Sequence, residues 1–226
     1  MRDLILNLFP NLVKFFDRFT TAIGATLVMV SVAAVFSIVI GTFMGILLVV
    51  TNKGKLYENL KFYNIYGKFV NVLRSIPFVL LITLLLPVTR SIVGTTIGVK
   101  GAIVPMVIGN LGFTARLVEQ GLAEVDNGVV EAARSMGLSN PYIIWRVLLK
   151  EGLPGLARGY VMSIVNLINT SAMAGTVGGG GLGDFAIRYG YAQYMTDITV
   201  VTIIILLLLV FLVQASGDRL VKASSH

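Results

Sequence analysis

The chain has 226 residues, 56% of them hydrophobic and 13% charged, with a formal net charge of +7 and no cysteine; its mean hydropathy is +0.86. Such apolarity is well beyond an average soluble domain and assigns the chain to the lipid bilayer. Disulfides and thiolate chemistry are excluded, and the 18 Lys and Arg residues are spread along apolar flanks instead of forming a basic stripe, which excludes a nucleic-acid partner.

In residues 1–20, Leu4, Ile5, Leu8, Leu12, Phe15, Phe16 and Phe19 recur near helical spacing, with Arg2, Asp3, Lys14 and Asp17 between them. The pattern predicts an interfacial amphipathic helix, broken or bent at Pro10. The rival reading is a cleaved signal peptide. Asp3 near the start, and the lack of a small-x-small site before a polar segment, count against it.

The stretch from Phe19 to Asn52 carries no charge over 34 residues and holds a first span at 21–50. A second, 64–89, joins the uncharged run Ser75 to Thr89 to the preceding residues, with Lys68 and Arg74 able to snorkel or face a wet interface, and with a kink at Pro77. A third, 101–116, is bounded by Lys100 and Arg116. The fifth, 198–216, lies within the uncharged run of 20 residues from Ile198 to Gly217, and the fourth, 157–178, begins two residues before the uncharged run of 25 from Gly159 to Gly183. The expected fold is thus an all-α integral membrane protein with five transmembrane helices in one permease domain, 21–217, and a tail at 218–226. With the N-terminus outside and the C-terminus in the cytoplasm, 12 of the 18 basic residues fall inside and six outside, as positive loops tend to do.

Between the third and fourth spans lies a polar segment, 124–154. Asn127 and Gly128 predict the start of a helix over about Val129 to Met136, and Gly137 suits the left-handed position beyond its end. Asn140 as N-cap and Pro141 at the first helical position predict a second helix to about Lys150. The small residues Ala132 and Ala133 beside Glu131 allow close approach of another protein, while Glu131 offsets the positive helix start or meets a basic partner.

Glu131-Ala132-Ala133, then Gly137 after three intervening residues, resembles the EAA loop of ABC importer permeases. There the loop forms coupling helices that fit a groove on the ATPase subunit. Where that family has Ile-x-Leu-Pro, this chain has Val147-Leu148-Leu149-Lys150, and Leu153-Pro154 follows. The segments LRSIPFVLLITLLLPVTRSIVGTTIG (from Leu73), IVPMVIGNLGFTARLVE (from Ile103), SAMAGTVGGGGLGDFAIRYGY (from Ser171) and QASGDRLV (from Gln214) resemble the permeases of methionine importers in particular.

The resemblance implies a homodimer in the bacterial cytoplasmic (inner) membrane, two ATP-binding cassette ATPase subunits below it and an extracytoplasmic methionine-binding protein above. ATP and Mg would sit on the ATPase partner, with no cofactor on this chain. It also implies that Glu131, Ala132, Ala133 and Gly137 carry ATPase coupling. Two alternatives remain at this stage: the same family with another amino acid or an osmolyte as cargo, and a carrier or channel that needs no ATPase.

What is missing narrows the chemistry. No G-x-x-x-x-G-K-[ST] occurs, so the chain lacks a P-loop of its own. Gly178, Gly180 and Gly183 formally satisfy G-x-G-x-x-G, but they follow an apolar span instead of a β-strand, and a tight glycine turn is the better reading. The single histidine is His226, and Glu119, Glu124, Asp184, Asp197 and Asp218 fall at expected span ends, so neither a paired-carboxylate site nor a proton relay is apparent. The chain is expected to be a transport subunit and not an enzyme. For a translocation path, the fourth span offers Asn166 and Asn169 one turn apart, with Ser171 and Met173 nearby, where helix–helix hydrogen bonding is the competing use. Arg74 and Pro77 interrupt the second span and are the other candidates for pathway or gate.

Overall fold

The computed structural model describes residues 9–224, and all of its regular structure is helical among those residues. Residues 1–8, part of the expected interfacial helix, lie outside the described residues. Pro10 stands at a helix start. It opens α1 (Pro10–Lys14), at a position where its missing N–H costs nothing, and the interruption falls at Phe15. Helix α2 (Phe16–Thr51) follows, 36 residues long and so about 54 Å, well over the roughly 30 Å hydrocarbon core.

The segment expected as one kinked second span is three helices: α3 (Leu60–Ser75), α4 (Phe78–Leu84) and α5 (Leu86–Val93). Pro77 caps α4 with an extended ψ of 131°, and the chain bends by 101° between α3 and α4. A proline that cannot donate, preceded by a residue it pushes out of the helical region, ends α3 outright instead of bending it. Helix α6 (Gly98–Ala123) holds the third expected span and continues beyond it.

The polar segment forms α7 (Asn127–Ser135), then α8 (Asn140–Tyr142), a π-helical stretch (Ile143–Leu148) and α9 (Leu149–Glu151). Helix α10 (Leu153–Gly175) leads through a glycine turn to α11 (Gly181–Phe185), a second π-helical stretch (Ala186–Tyr191) and α12 (Thr196–Ser224). Among the described residues, α2, α6 and Thr196–Arg219 of α12 are each long and apolar enough to cross a membrane, and the bent α3–α4 pair is a fourth candidate. Helix α10 is not among them, because Ser163, Asn166, Asn169, Thr170 and Ser171 dilute its apolar residues.

The chain forms two compact units, and several helices contribute to both. One comprises residues 1–35, 76–109 and 164–212. Its apolar core gathers Phe19, Ala22, Leu182, Phe185, Tyr189 and Ile198, with Leu12 and Phe15 packed against them. Asp197 ties down the N-terminal segment, accepting hydrogen bonds from the Asn11 backbone N–H (2.9 Å), Asn11 Nδ2 (3.0 Å) and the Leu12 N–H (3.4 Å). The glycine turn is fixed rather than loose. Gly181, at φ 77°, sits where a Cβ would meet Thr26 Oγ1 and Met29 Cε at 2.6 Å, and the Leu182 N–H donates to Thr26 Oγ1 (2.8 Å).

The other unit comprises residues 36–75, 110–163 and 213–226. Its main core joins Ile46, Val49, Val50 and Leu56 to Val118 and Leu122 of α6 and to Ala133, Ile143, Ile144, Leu148 and Leu156. Helices α6 and α10 cross at their backbones: a Cβ on Gly155 would stand 2.6 Å from the Gly121 carbonyl oxygen.

Candidate functional site

Helix α7 starts at Asn127, two residues before the expected Val129. Asp126, not Asn127, is the N-cap, and its Oδ1 accepts the Gly128 N–H at 2.9 Å. The helix stops as expected, with Gly137 at φ 76°. The second helix begins at Ser139 as cap, so Asn140 and Pro141 occupy its first turn, and the helical path runs on through the π-helical stretch to Glu151. Asn140 is released from capping and serves elsewhere: its Nδ2 donates to the Leu56 carbonyl (3.3 Å), while Lys55 Nζ donates to Asn127 Oδ1 (2.5 Å). The 52–59 turn thereby braces both helices of the segment.

This attachment separates the two alanines that the sequence places side by side. Ala133 is 3% exposed and packs into the core with Ile143, Ile144 and Leu148, so it does not belong to an outward docking face. Glu131, Ala132 and Gly137 are exposed. Around them the structure adds side chains that the motif does not mention: Met136, Tyr142 and Trp145, which are 71%, 50% and 64% exposed. Large apolar and aromatic groups left open on a polar segment are the composition of a protein-binding surface. The π-helical stretch carries Trp145 outward while Ile143, Ile144 and Leu148 turn inward. Its presence is not readable from residue spacing, but an exposed Trp in a polar segment is a usable signal.

The four pathway candidates on α10 divide in the same way. Asn169 and Met173 are exposed, Asn166 is half-buried, and Ser171 is buried with its hydroxyl donating to the Ile168 carbonyl (2.7 Å). Thr170 returns a hydrogen bond to the Asn166 carbonyl (2.5 Å). Asn166, Asn169 and Met173, spaced by three and four residues, share one face of the helix. Ser171 lies off that face and satisfies itself locally. Arg74, at the end of α3, is exposed and holds its guanidinium 5.8 Å from the Phe113 ring centroid, within cation–π range. Pro77 is exposed at the break between α3 and α4.

Sequence reasoning overlooked Asn110. Its side chain is buried in α6, where Nδ2 donates to Ser163 Oγ (2.8 Å) and to Thr114 Oγ1 (3.2 Å), and the two hydroxyls lie 2.7 Å apart. Three polar groups that satisfy one another weld α6 to α10 where unpaired they would each be costly. The i, i+4 spacing of Asn110 and Thr114 in a hydrophobic run was the available clue. Arg116 and Glu119 also lie within α6 and not at its end, since the helix continues to Ala123.

Comparison with known proteins adds to this geometry. The family described as binding-protein-dependent transport system inner membrane component matches residues 37–226. The chain is 47% identical over 210 residues to a protein of Vibrio cholerae named probable D-methionine transport system permease protein MetI, covering 93% of each. It is 44% identical over 172 residues to the methionine import system permease protein MetP of Bacillus subtilis, covering 76% of this chain and 78% of that one. Among solved structures, a chain from inward-facing conformations of the MetNI methionine ABC transporter superimposes with a TM-score of 0.92 at 40% identity, over 94% of this chain and 99% of that one. An amino-acid ABC transporter crystallised with histidines, 18% identical with a TM-score of 0.71, shares the fold over 95% of this chain and 98% of that one.

Proposed function

This chain belongs to the family of binding-protein-dependent transport system inner membrane components, and from that premise we propose that it is the permease subunit of an ATP-driven methionine importer. The cargo rests on the names of its relatives and the coupling role on its own geometry. The observation that carries the coupling role is the segment around α7, where Glu131, Ala132 and Gly137 stand exposed on a helix anchored by buried Ala133.

Two copies of the chain form the pathway in the bacterial cytoplasmic membrane, each with five spans, an outside N-terminus and a cytoplasmic C-terminus. Each copy presents its 124–154 segment to one ATPase subunit, which holds the ATP and Mg, and an extracytoplasmic methionine-binding protein delivers substrate from the other side. ATP binding draws the paired segments together and opens the path outward, and hydrolysis resets it, so a ligand on another chain biases a two-state element here. Met136, Tyr142 and Trp145 supply the apolar anchors of the docking face, and Glu131 its charge. Asn166, Asn169 and Met173 line the path, and the α3–α4 break at Pro77, beside Arg74, is its gate hinge.

The test is assembly and transport of Glu131→Lys and Trp145→Ala in complex with the ATPase subunit. Trp145→Ala is expected to weaken ATPase association by about tenfold, and Glu131→Lys to abolish uptake while the permease dimer stays in the membrane. Full uptake in both variants would remove the coupling assignment.

A further inference from the structure

The unit that carries α7 also holds a charged cluster inside a candidate spanning helix. Arg116 and Glu119 of α6 have side chains only 17% and 13% exposed. Ionisable groups within a span are costly unless paired, and are rarely kept without a task. Here the pairing is nearly complete. Arg116 Nε donates to Asn71 Oδ1 (3.0 Å), Nη2 to the Gly67 carbonyl (2.9 Å) and Nη1 to Glu119 Oε2 (2.5 Å), while Glu119 Oε1 accepts the Tyr63 hydroxyl (2.9 Å). Tyr63, Gly67 and Asn71 follow one another at four-residue steps, so one face of α3 meets this cluster through three successive turns.

The backbones are fitted to the contact. A Cβ on Gly67 would stand 3.1 Å from Arg116 Nη2, and one on Gly112 would stand 2.7 Å from the Val70 carbonyl oxygen. A planar guanidinium that engages three acceptors at once fixes rotation as well as distance, which a lysine cannot do. On its other side α6 delivers Val118 and Leu122 to the core that holds Ala133, Ile143 and Ile144 of the 124–154 segment. A continuous packed route therefore runs from α7 through α6 to α3, which ends at Ser75 beside the break at Pro77.

Resting on the importer reading above, we propose that Arg116, with Glu119, Tyr63 and Asn71, is a positioning clamp that makes α3 move with α6, so that displacement of the 124–154 segment reaches the end of α3. The cluster touches neither substrate nor nucleotide. Its effect is on the transport obtained from each ATP hydrolysed.

The chain has no cysteine, so spin labels at Lys61→Cys on α3 and Gln120→Cys on α6, both exposed, placed in one copy of the dimer beside an unlabelled copy and a cysteine-free ATPase, report one distance in the complex. That distance is expected to be single and narrow, and the same without nucleotide and with ATP trapped. Arg116→Met is expected to broaden it and to lower methionine transported per ATP by about tenfold while ATP hydrolysis continues. Tyr63→Phe, which leaves the Arg116–Glu119 pair in place, acts in the same direction more weakly and decides the matter when Arg116→Met fails to assemble.

A distance that changes with nucleotide in the unsubstituted complex would overturn the clamp. So would variants that lose uptake and hydrolysis in equal proportion. The distance does not depend on cargo, so a complex that keeps it narrow yet takes up no methionine counts against the cargo and not against the clamp.

Discussion

At Gly137 the backbone takes φ 76° with nothing within 4 Å of where a Cβ would stand, so a side chain there meets strain in the chain itself and no neighbour. Gly137→Val is expected to cost about 1–3 kcal/mol, and Gly137→Asn, whose side chain tolerates the left-handed region, much less. Thermal unfolding and uptake of the two variants check this, and equal losses in both would point to partner contact instead of backbone strain. Ala133 presents the opposite case, with its methyl group enclosed by Ile143, Ile144 and Leu148. Ala133→Leu overpacks that core and should destabilise the segment by about 1–3 kcal/mol, whereas Ala132→Leu changes ATPase docking with little effect on stability. The identity of the two alanines was plain in the sequence. Which of them faces inward was not, because adjacent helical residues differ by about 100° and the core that claims Ala133 comes from residues as distant as Ile46 and Leu156.

The elements that were legible are those whose signals are local. The stop of α7 at Gly137, and the apolar lengths of α2 and α12, follow from single residues or continuous runs. The cap at Asp126 was missed by one position because three residues in a row, Asp126, Asn127 and Gly128, can all serve there; Asp126→Ala should cost about 1 kcal/mol of stability, while Asn127→Ala should spare the cap. The division of 64–89 was only half read. Pro77 announces one interruption, and the other, at Leu85 with φ −87° and ψ 2°, has its signal in Pro87, which lies in the first turn of α5 and cannot donate back into α4. The crossing of α6 and α10 was hidden as well. Gly121 and Gly155 lie far apart in sequence, and only the fold shows that a Cβ on Gly155 would press on the Gly121 backbone at 2.6–2.8 Å. Gly155→Val must force α6 and α10 apart at their backbones, and loss of assembled complex on size-exclusion chromatography is the expected result.

At the scale of the whole molecule, composition alone assigned the chain to a bilayer, and the Glu131–Gly137 spacing pointed to its class before any coordinates. The polar groups that hold the helices together were not legible, because Asn110 with Ser163 and Glu119 with Tyr63 are pairings between distant residues that a hydropathy profile averages away. Both clusters lie in the same compact unit as the 124–154 segment, which fits a unit built to receive force from an ATPase. The most direct test is methionine uptake into liposomes that contain this chain and its ATPase, with the binding protein outside and ATP inside. ATP-dependent uptake that vanishes with Glu131→Lys is the predicted result, and flux through this chain alone, without ATPase or ATP, would contradict the account.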